Sequence, residues 1–141
     1  MLSTTQLFPL LDQSLSLENA THAEGALSAI ATLVRVAPEK LSEHVSSLIP
    51  RLLSFTNAAS VVCPSCTCSQ SARLFLFLTV CQCVRKMALR SLRSMCRMPH
   101  HRLYPFKQDV IRGLERSLDD RIRSVRLLAV ACRNEWYEVC Q

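Results

Sequence analysis

The chain has 141 residues, 49% of them hydrophobic, with only two glycines and six prolines, a balance that excludes disordered and collagenous classes and fits one packed, all-α domain. Net charge is +6 but uneven: residues 1–60 carry three Lys/Arg against five Asp/Glu and residues 61–141 carry fourteen against six, so the basic character belongs to the C-terminal part. Met1 to Leu17 lacks the basic start of a secretory signal and carries Asp12, and no apolar run reaches membrane length, so the expectation is a soluble intracellular chain with no membrane contact and reduced cysteines.

In chain order, Leu2 to Leu17 is predicted as a helix with Leu7, Phe8, Leu11 and Leu15 facing inward. A second helix carries Ala23, Ala26, Leu27, Ile30, Leu33 and Val34 and is ended by Pro38, with His22 on its surface. Leu41 to Phe55 forms a third, with His44 on its outer side. The pattern then stops, and Val61 to Cys83 reads as an irregular, cysteine-rich insertion. Its apolar run Leu74 to Val80 has β-propensity and no charge, an aggregation hazard where exposed. Val84 to Met98 resumes as a helix that Pro99 ends, with His100 and His101 in the turn. Leu103 to Leu118 places Leu103, Val110, Ile111, Leu114 and Leu118 on one helical face. The last helix opens at Asp119-Asp120, whose carboxylates suit a helix N-terminus, and lines up Val125, Leu128, Ala129, Cys132 and Trp136.

Compared with itself, the chain shows two offsets. At 41 residues, Leu7-Phe8-Pro9 falls on Leu48-Ile49-Pro50, and Val84 to Leu89 falls on Val125 to Val130. At 62, Leu41, Leu48, Ile49 and Leu52 fall on Leu103, Val110, Ile111 and Leu114. Three helix pairs of period 41 account for both, if about 21 extra residues interrupt the middle pair. The expected repeats cover 2–38, 41–98 and 103–138, with the insertion at 61–83. The period, a proline part-way along the first helix (Pro9, Pro50) and an Asp followed by Val-Arg in the second (Asp120, Val125-Arg126) resemble HEAT repeats. The fold class is therefore a short all-α HEAT-repeat solenoid of about three helix pairs.

Lys86, Arg90, Arg93 and Arg97 are spaced to share one side of a helix whose other side carries Leu89, Leu92 and Cys96. Second helices of HEAT repeats line the inner wall of the solenoid, so this stripe, with Arg126 and Arg133, is a candidate docking surface for an acidic protein partner. No aromatics interleave with the arginines, which argues against nucleic acid, the alternative use of a basic helical repeat. The other alternative is a zinc module: Cys63 and Cys66 have knuckle spacing, and Cys81 with Cys83 could complete a four-thiolate site. Against it, the second pair has one intervening residue where zinc ribbons have two, and no glycine follows either pair. Cys96 and Cys132, on apolar helix faces, read as core residues. No residues form a nucleophile, base and orienting acid, so no enzyme activity and no cofactor are expected.

Three C-terminal stretches carry a closer resemblance: Tyr104 to Leu114, Leu118 to Arg126, and Ala129 to Trp136 with its Arg133-Asn134-Glu135-Trp136 ending. Together with Leu48 to Leu53, they resemble the end of the HEAT-repeat family named for methyl methanesulfonate sensitivity and nucleotide excision repair, the targeting adaptor of cytosolic iron-sulfur protein assembly. The resemblance implies a non-catalytic scaffold, cytoplasmic and nuclear. Its partners would be the protein subunits of the targeting complex and apo iron-sulfur proteins of DNA repair and replication. Val61 to Cys83 departs from the family pattern, so its cysteines inherit no cluster role.

Overall fold

The computed structural model describes residues 9–11, 13–15, 20–57 and 70–139, the side chains of 20–21 and 70–81 excepted. Its elements are α1 (Ala20–Val36), α2 (Pro38–Ser42), α3 (Val45–Thr56), α4 (Gln70–Met95), α5 (His100–Leu103), a 3-10 turn (Tyr104–Phe106), α6 (Lys107–Gly113), α7 (Glu115–Leu118) and α8 (Arg123–Glu138). No strand occurs among the described residues. The fold is the all-α helical solenoid that the periodicity implies.

The helices form two layers. One holds α1, α4 and α8 side by side with α4 in the middle; in the other, α3 packs on α4, α6 and α7 pack on α8, and α3 touches α6. The apolar residues expected inward are buried: Leu27 and Ile30 on α1, Leu48, Ile49 and Leu52 on α3, Leu89 and Leu92 on α4, Val110 and Ile111 on α6, and Val125, Ala129, Cys132 and Trp136 on α8. Leu118, Leu128 and Cys96 are only partly buried at the edge of this core.

The sequence offsets reappear as spatial ones. Between α4 and α8, Gln82 Nε2 donates to Ser124 Oγ at 3.4 Å and Arg93 Nε to Glu135 Oε1 at 2.5 Å, each joining residues 42 apart. The two helices therefore run parallel with a constant shift. Between α1 and α4, the buried Ser91 Oγ donates to Leu27 O at 3.0 Å, across 64 residues. In the other layer Ser117 Oγ donates to Thr56 O at 3.3 Å, across 61 residues.

Several local expectations change. The helix expected from Val84 begins at Gln70, so residues 70–83 are helical where an irregular insertion was expected. Extending an existing helix fixes one residue per added bond and avoids the nucleation cost, so a nucleus at Val84–Met95 carries a β-prone run with it. Residues 61–69, the rest of the expected insertion, lie outside the described residues, as do 1–8 of the first helix. The third helix starts early, at Pro38, which takes the first helical turn where its missing N–H is harmless. It breaks at Glu43-His44, and His44 is half-buried at the N-cap of α3 rather than outside. Pro50 sits within α3, which continues through it. The helix expected over 103–118 is divided: Pro105 falls in the 3-10 turn, and His100 and His101 open α5 instead of lying in a loop. At the junction of α6 and α7 the bonds from Leu114 N to Val110 O (3.0 Å) and Leu118 N to Leu114 O (3.2 Å) persist, so only the axis tightens there. Gly113 lets α6 approach α3, since a Cβ there would lie 2.8 Å from Leu53 Cδ2.

Trp136, the single tryptophan, is fully buried and its Nε1 donates to Leu92 O at 3.0 Å, fixing α8 on α4. Trp136→Phe keeps much of the packing but loses that bond and part of the ring volume, and should destabilise by about 1–3 kcal/mol; Trp136→Ala should cost about 3–5 kcal/mol. Urea unfolding followed by far-ultraviolet circular dichroism measures both.

Candidate docking wall on the second-helix layer

Of the four cations expected on one side of a helix, Lys86, Arg90 and Arg93 lie on α4, and Arg97 stands in the turn just past its end at Met95. Arg90, Arg93 and Arg97 are exposed and Lys86 is half-buried, while Ala88, Leu89, Leu92 and Met95 are buried on the opposite side. Burial of that side against α1, α3 and α8 fixes the helix, so the cationic side is presented on a rigid support. Arg93 is in part neutralised within the fold by its bond to Glu135 of α8. With side-chain exposures of 47% and 35%, that pair is screened and contributes up to about 1 kcal/mol. Arg90 Nη1 makes only a weak contact with Met87 Sδ at 3.8 Å. Lys86, Arg90 and Arg97 make no ion pair among the described residues.

Arg126 and Arg133 do not join this wall. Ser124 and Glu135 mark the side of α8 that meets α4, and at 100° per residue positions 126 and 133 lie about 160–200° around the helix from them. Arg126 Nη1 donates to Asp120 O at 2.6 Å and Arg121 O at 3.2 Å, closing the turn before α8. The Arg133 guanidinium lies 5.5 Å from the centroid of the Tyr137 ring, a cation-π contact. The candidate set is therefore two surfaces, a wall on α4 and a flank on α8.

Two acidic residues that organise the wall escape a reading confined to one helix. Asp120 was expected at the N-terminus of the last helix, but the N-cap is Ile122 and makes no side-chain cap. Instead Asp120 Oδ1 accepts from Ile122 N at 2.9 Å, and its other oxygen pairs with Arg85 of α4. The Asp of one repeat thus holds the Arg of the repeat before it, and Glu135 does the same for Arg93. The signal available in the sequence is the period: Arg85 and Arg126 are repeat equivalents at offset 41. At the far end, Lys107 Nζ donates to Tyr137 O at 2.9 Å and Val139 O at 2.7 Å, satisfying carbonyls at the C-terminus of α8.

The cysteine readings divide. Cys63 and Cys66 lie outside the described residues, as does the side chain of Cys81. Positions 81 and 83 both fall within α4, where residues two apart are about 200° around the axis and do not face each other. That spacing is a further argument against the zinc alternative, in which Cys81 and Cys83 would form one arm. Cys83 is exposed. Among the described residues no three His, Cys, Asp or Glu side chains cluster as metal ligands, and no helix is long and apolar enough to cross a membrane. Cys96 and Cys132 are core thiols between α4 and α8. Burial, then Glu135, pushes Cys96 up to about 12. Burial, followed by the Cys96 and Glu135 charges, raises Cys132 as well.

Residues 2–96 match the family described as RNAPII transcription regulator C-terminal, MMS19_C. The chain belongs to this family. Its relatives include the MMS19 nucleotide excision repair protein homolog of Xenopus tropicalis, 32% identical over 131 residues, and that of Homo sapiens, 30% identical over 131 residues. The DNA repair/transcription protein mms19 of Schizosaccharomyces pombe is 33% identical over 135 residues. Each similarity covers 93% of this chain and 11% of the relative, so the chain spans about a tenth of the length of these relatives. The MMS19_C match and the fold agree on a helical repeat segment.

Two measurements check the site. Asp120→Ala removes a carboxylate partner of the largely buried Arg85 together with the bond to Ile122 N and should cost about 1–3 kcal/mol, whereas Arg85→Met, which leaves Asp120 its bond to Ile122 N, should cost less; chemical denaturation compares them. In iodoacetamide labelling near pH 8 followed by peptide mass spectrometry, Cys83 should be modified while Cys96 and Cys132 stay unmodified until the chain is unfolded.

Proposed function

We propose that this chain is a non-catalytic adaptor segment for cytosolic iron-sulfur protein assembly, serving DNA repair and transcription proteins in the cytoplasm and nucleus. Its α4 wall docks protein subunits of the targeting complex and so brings them to apo iron-sulfur proteins of DNA repair and replication. The observation that carries the reading is the cationic side of α4: Lys86 and Arg90 on a helix buried on its other side, with Arg97 in the turn that follows it. Membership of MMS19_C supplies the repair and transcription context through the names its relatives bear. The solenoid supports a scaffold because its acids and bases pair across repeats: Arg85 with Asp120 and Arg93 with Glu135 tie helices together and do not converge on a common point.

Such a wall attracts an acidic partner through the summed field of its charges, which raises the association rate and is screened by salt. The test is the affinity of the chain for the reconstituted small-subunit and propeller complex of cluster assembly. The triple variant Lys86→Glu, Arg90→Glu, Arg97→Glu should bind about tenfold or more weakly at low salt, with the difference shrinking as salt rises. Its unfolding midpoint should stay close to that of the parent, because none of the three makes an ion pair among the described residues. Equal affinity of parent and variant at every salt concentration refutes the wall. Capture of duplex nucleic acid in place of the protein complex, with a steep salt slope, would transfer the wall to a different ligand.

A further inference from the structure

The flank of α8 turned away from α4 is the repeat equivalent of the surface that α4 offers to α8. Shifted by the 41-residue period, Arg85 becomes Arg126, Leu89 becomes Val130 and Cys96 becomes Tyr137. On α4, Arg85 holds Asp120 just before α8 and Leu89 is fully buried, and in the turn after α4 Cys96 lies in the seam beside Cys132 and Glu135. On α8, Val130 and Tyr137 are 46% and 44% exposed. Arg123, Arg126 and Arg133 border them, and among these Arg133 Nε is shut off from solvent with no acceptor among the described residues.

We infer that this flank is a docking face for a helix of a partner protein, one with an apolar stripe and carboxylates in and just before its first turn, bound parallel to α8 as an added second helix of the solenoid. Charge selects this occupant. In the internal seam α4 contributes the cations, Arg85 and Arg93, and α8 the anions, Asp120 and Glu135. The α8 flank keeps one of those cations, Arg126 for Arg85, has Asn134 in place of Arg93, and adds Arg123 and Arg133 where α4 has Gln82 and Leu92, so three arginines surround two exposed apolar residues. A helix laid there with the same shift would place an acid before its start opposite Arg126, a residue of its first turn opposite Arg123, and apolar side chains over Val130 and Tyr137. Desolvated apolar contact supplies the affinity, and the carboxylates fix direction and register. The surface is separate from the α4 wall, and the inference does not rest on the adaptor reading.

The chain contains a template for its own probe, since α8 already covers α4 in this geometry. A synthetic peptide of residues 119–139 carrying Ser124→Glu supplies Asp120 opposite Arg126 and the new carboxylate opposite Arg123. Calorimetric titration into the full chain should show saturable binding. Val130→Glu or Tyr137→Glu in the full chain should weaken it about tenfold or more. Arg123→Glu should weaken it chiefly at low salt. All three positions are exposed, so each variant should keep its parent's unfolding midpoint. Lys86→Glu, Arg90→Glu, Arg97→Glu should bind the peptide as the parent does, so failure here and failure of the α4 wall are distinguishable. Absence of binding overturns the inference, as does binding insensitive to Val130 and Tyr137, which would mean exchange with the chain's own α8 on α4. Self-association of the chain in sedimentation that Val130→Glu abolishes also overturns it, assigning the face to a second copy.

Discussion

The fold depends on one helix being buried on three sides. The buried face of α4 meets α1, α3 and α8, and Val84, Ala88, Leu89, Leu92 and Met95 on it are fully buried. Apolar burial alone would let helices slide along one another, because it is non-directional. Here two side chains end the sliding. Ser91 donates to Leu27 O on one side of α4, and Leu92 O accepts from Trp136 on the other. Helical carbonyls already serve the backbone ladder through one lone pair, so a second donor can be added without breaking a turn. With adjacent residues of α4 committed in opposite directions, both neighbours are locked in register to the same point of the middle helix.

This explains which parts of the architecture were legible in the sequence. A constant spatial shift between second helices requires that core residues recur at a constant sequence shift, so Val84 with Val125 and Ala88 with Ala129 revealed the stacking before any contact was known. The first helices were less legible. Their faces read correctly at Leu48, Ile49, Val110 and Ile111, but the breaks at Glu43-His44 and around Pro105 leave the apolar spacing almost unchanged. The start of α4 was missed for a different reason. The residues from Gln70 to Cys83 carry β-prone side chains, and a reading by local propensity assigns no helix to them, whereas extension from an established helix needs only a small gain per residue.

The basic side of the chain shows a similar division. Helical spacing was enough to place Lys86, Arg90 and Arg93 together, since that depends on one helix, and Arg97 follows in the turn after it. Which arginines are already engaged depends on a second helix. The acids that hold Arg85 and Arg93 stand 35 and 42 residues further on, so one arginine of the stripe is drawn into the structure and the others are not. Arg126 and Arg133 share with the stripe their charge and their place on a second helix. Their rotation about α8, one toward the turn carbonyls and one over Tyr137, takes them off the wall.

A solenoid with nearest-neighbour coupling is more sharply divided between middle and end than an ordinary domain. Its stability is close to a sum of repeat terms and interface terms, and among the described residues α4 draws on two second-helix interfaces and α8 on one. The exposed flank of α8 follows the period of the covered face of α4 at Arg126 and Val130 and departs from it elsewhere, with Arg133 and Asn134 where α4 has Leu92 and Arg93. Lys86 to Leu127 is one such change, from a cation on the wall to a leucine 60% exposed, whereas Arg85 to Arg126 is a position held. The free energy that a seam inside the stack contributes to folding is available for association wherever such a face is uncovered. That places partner recognition where the geometry is already set by the repeat, with little reorganisation required of the chain.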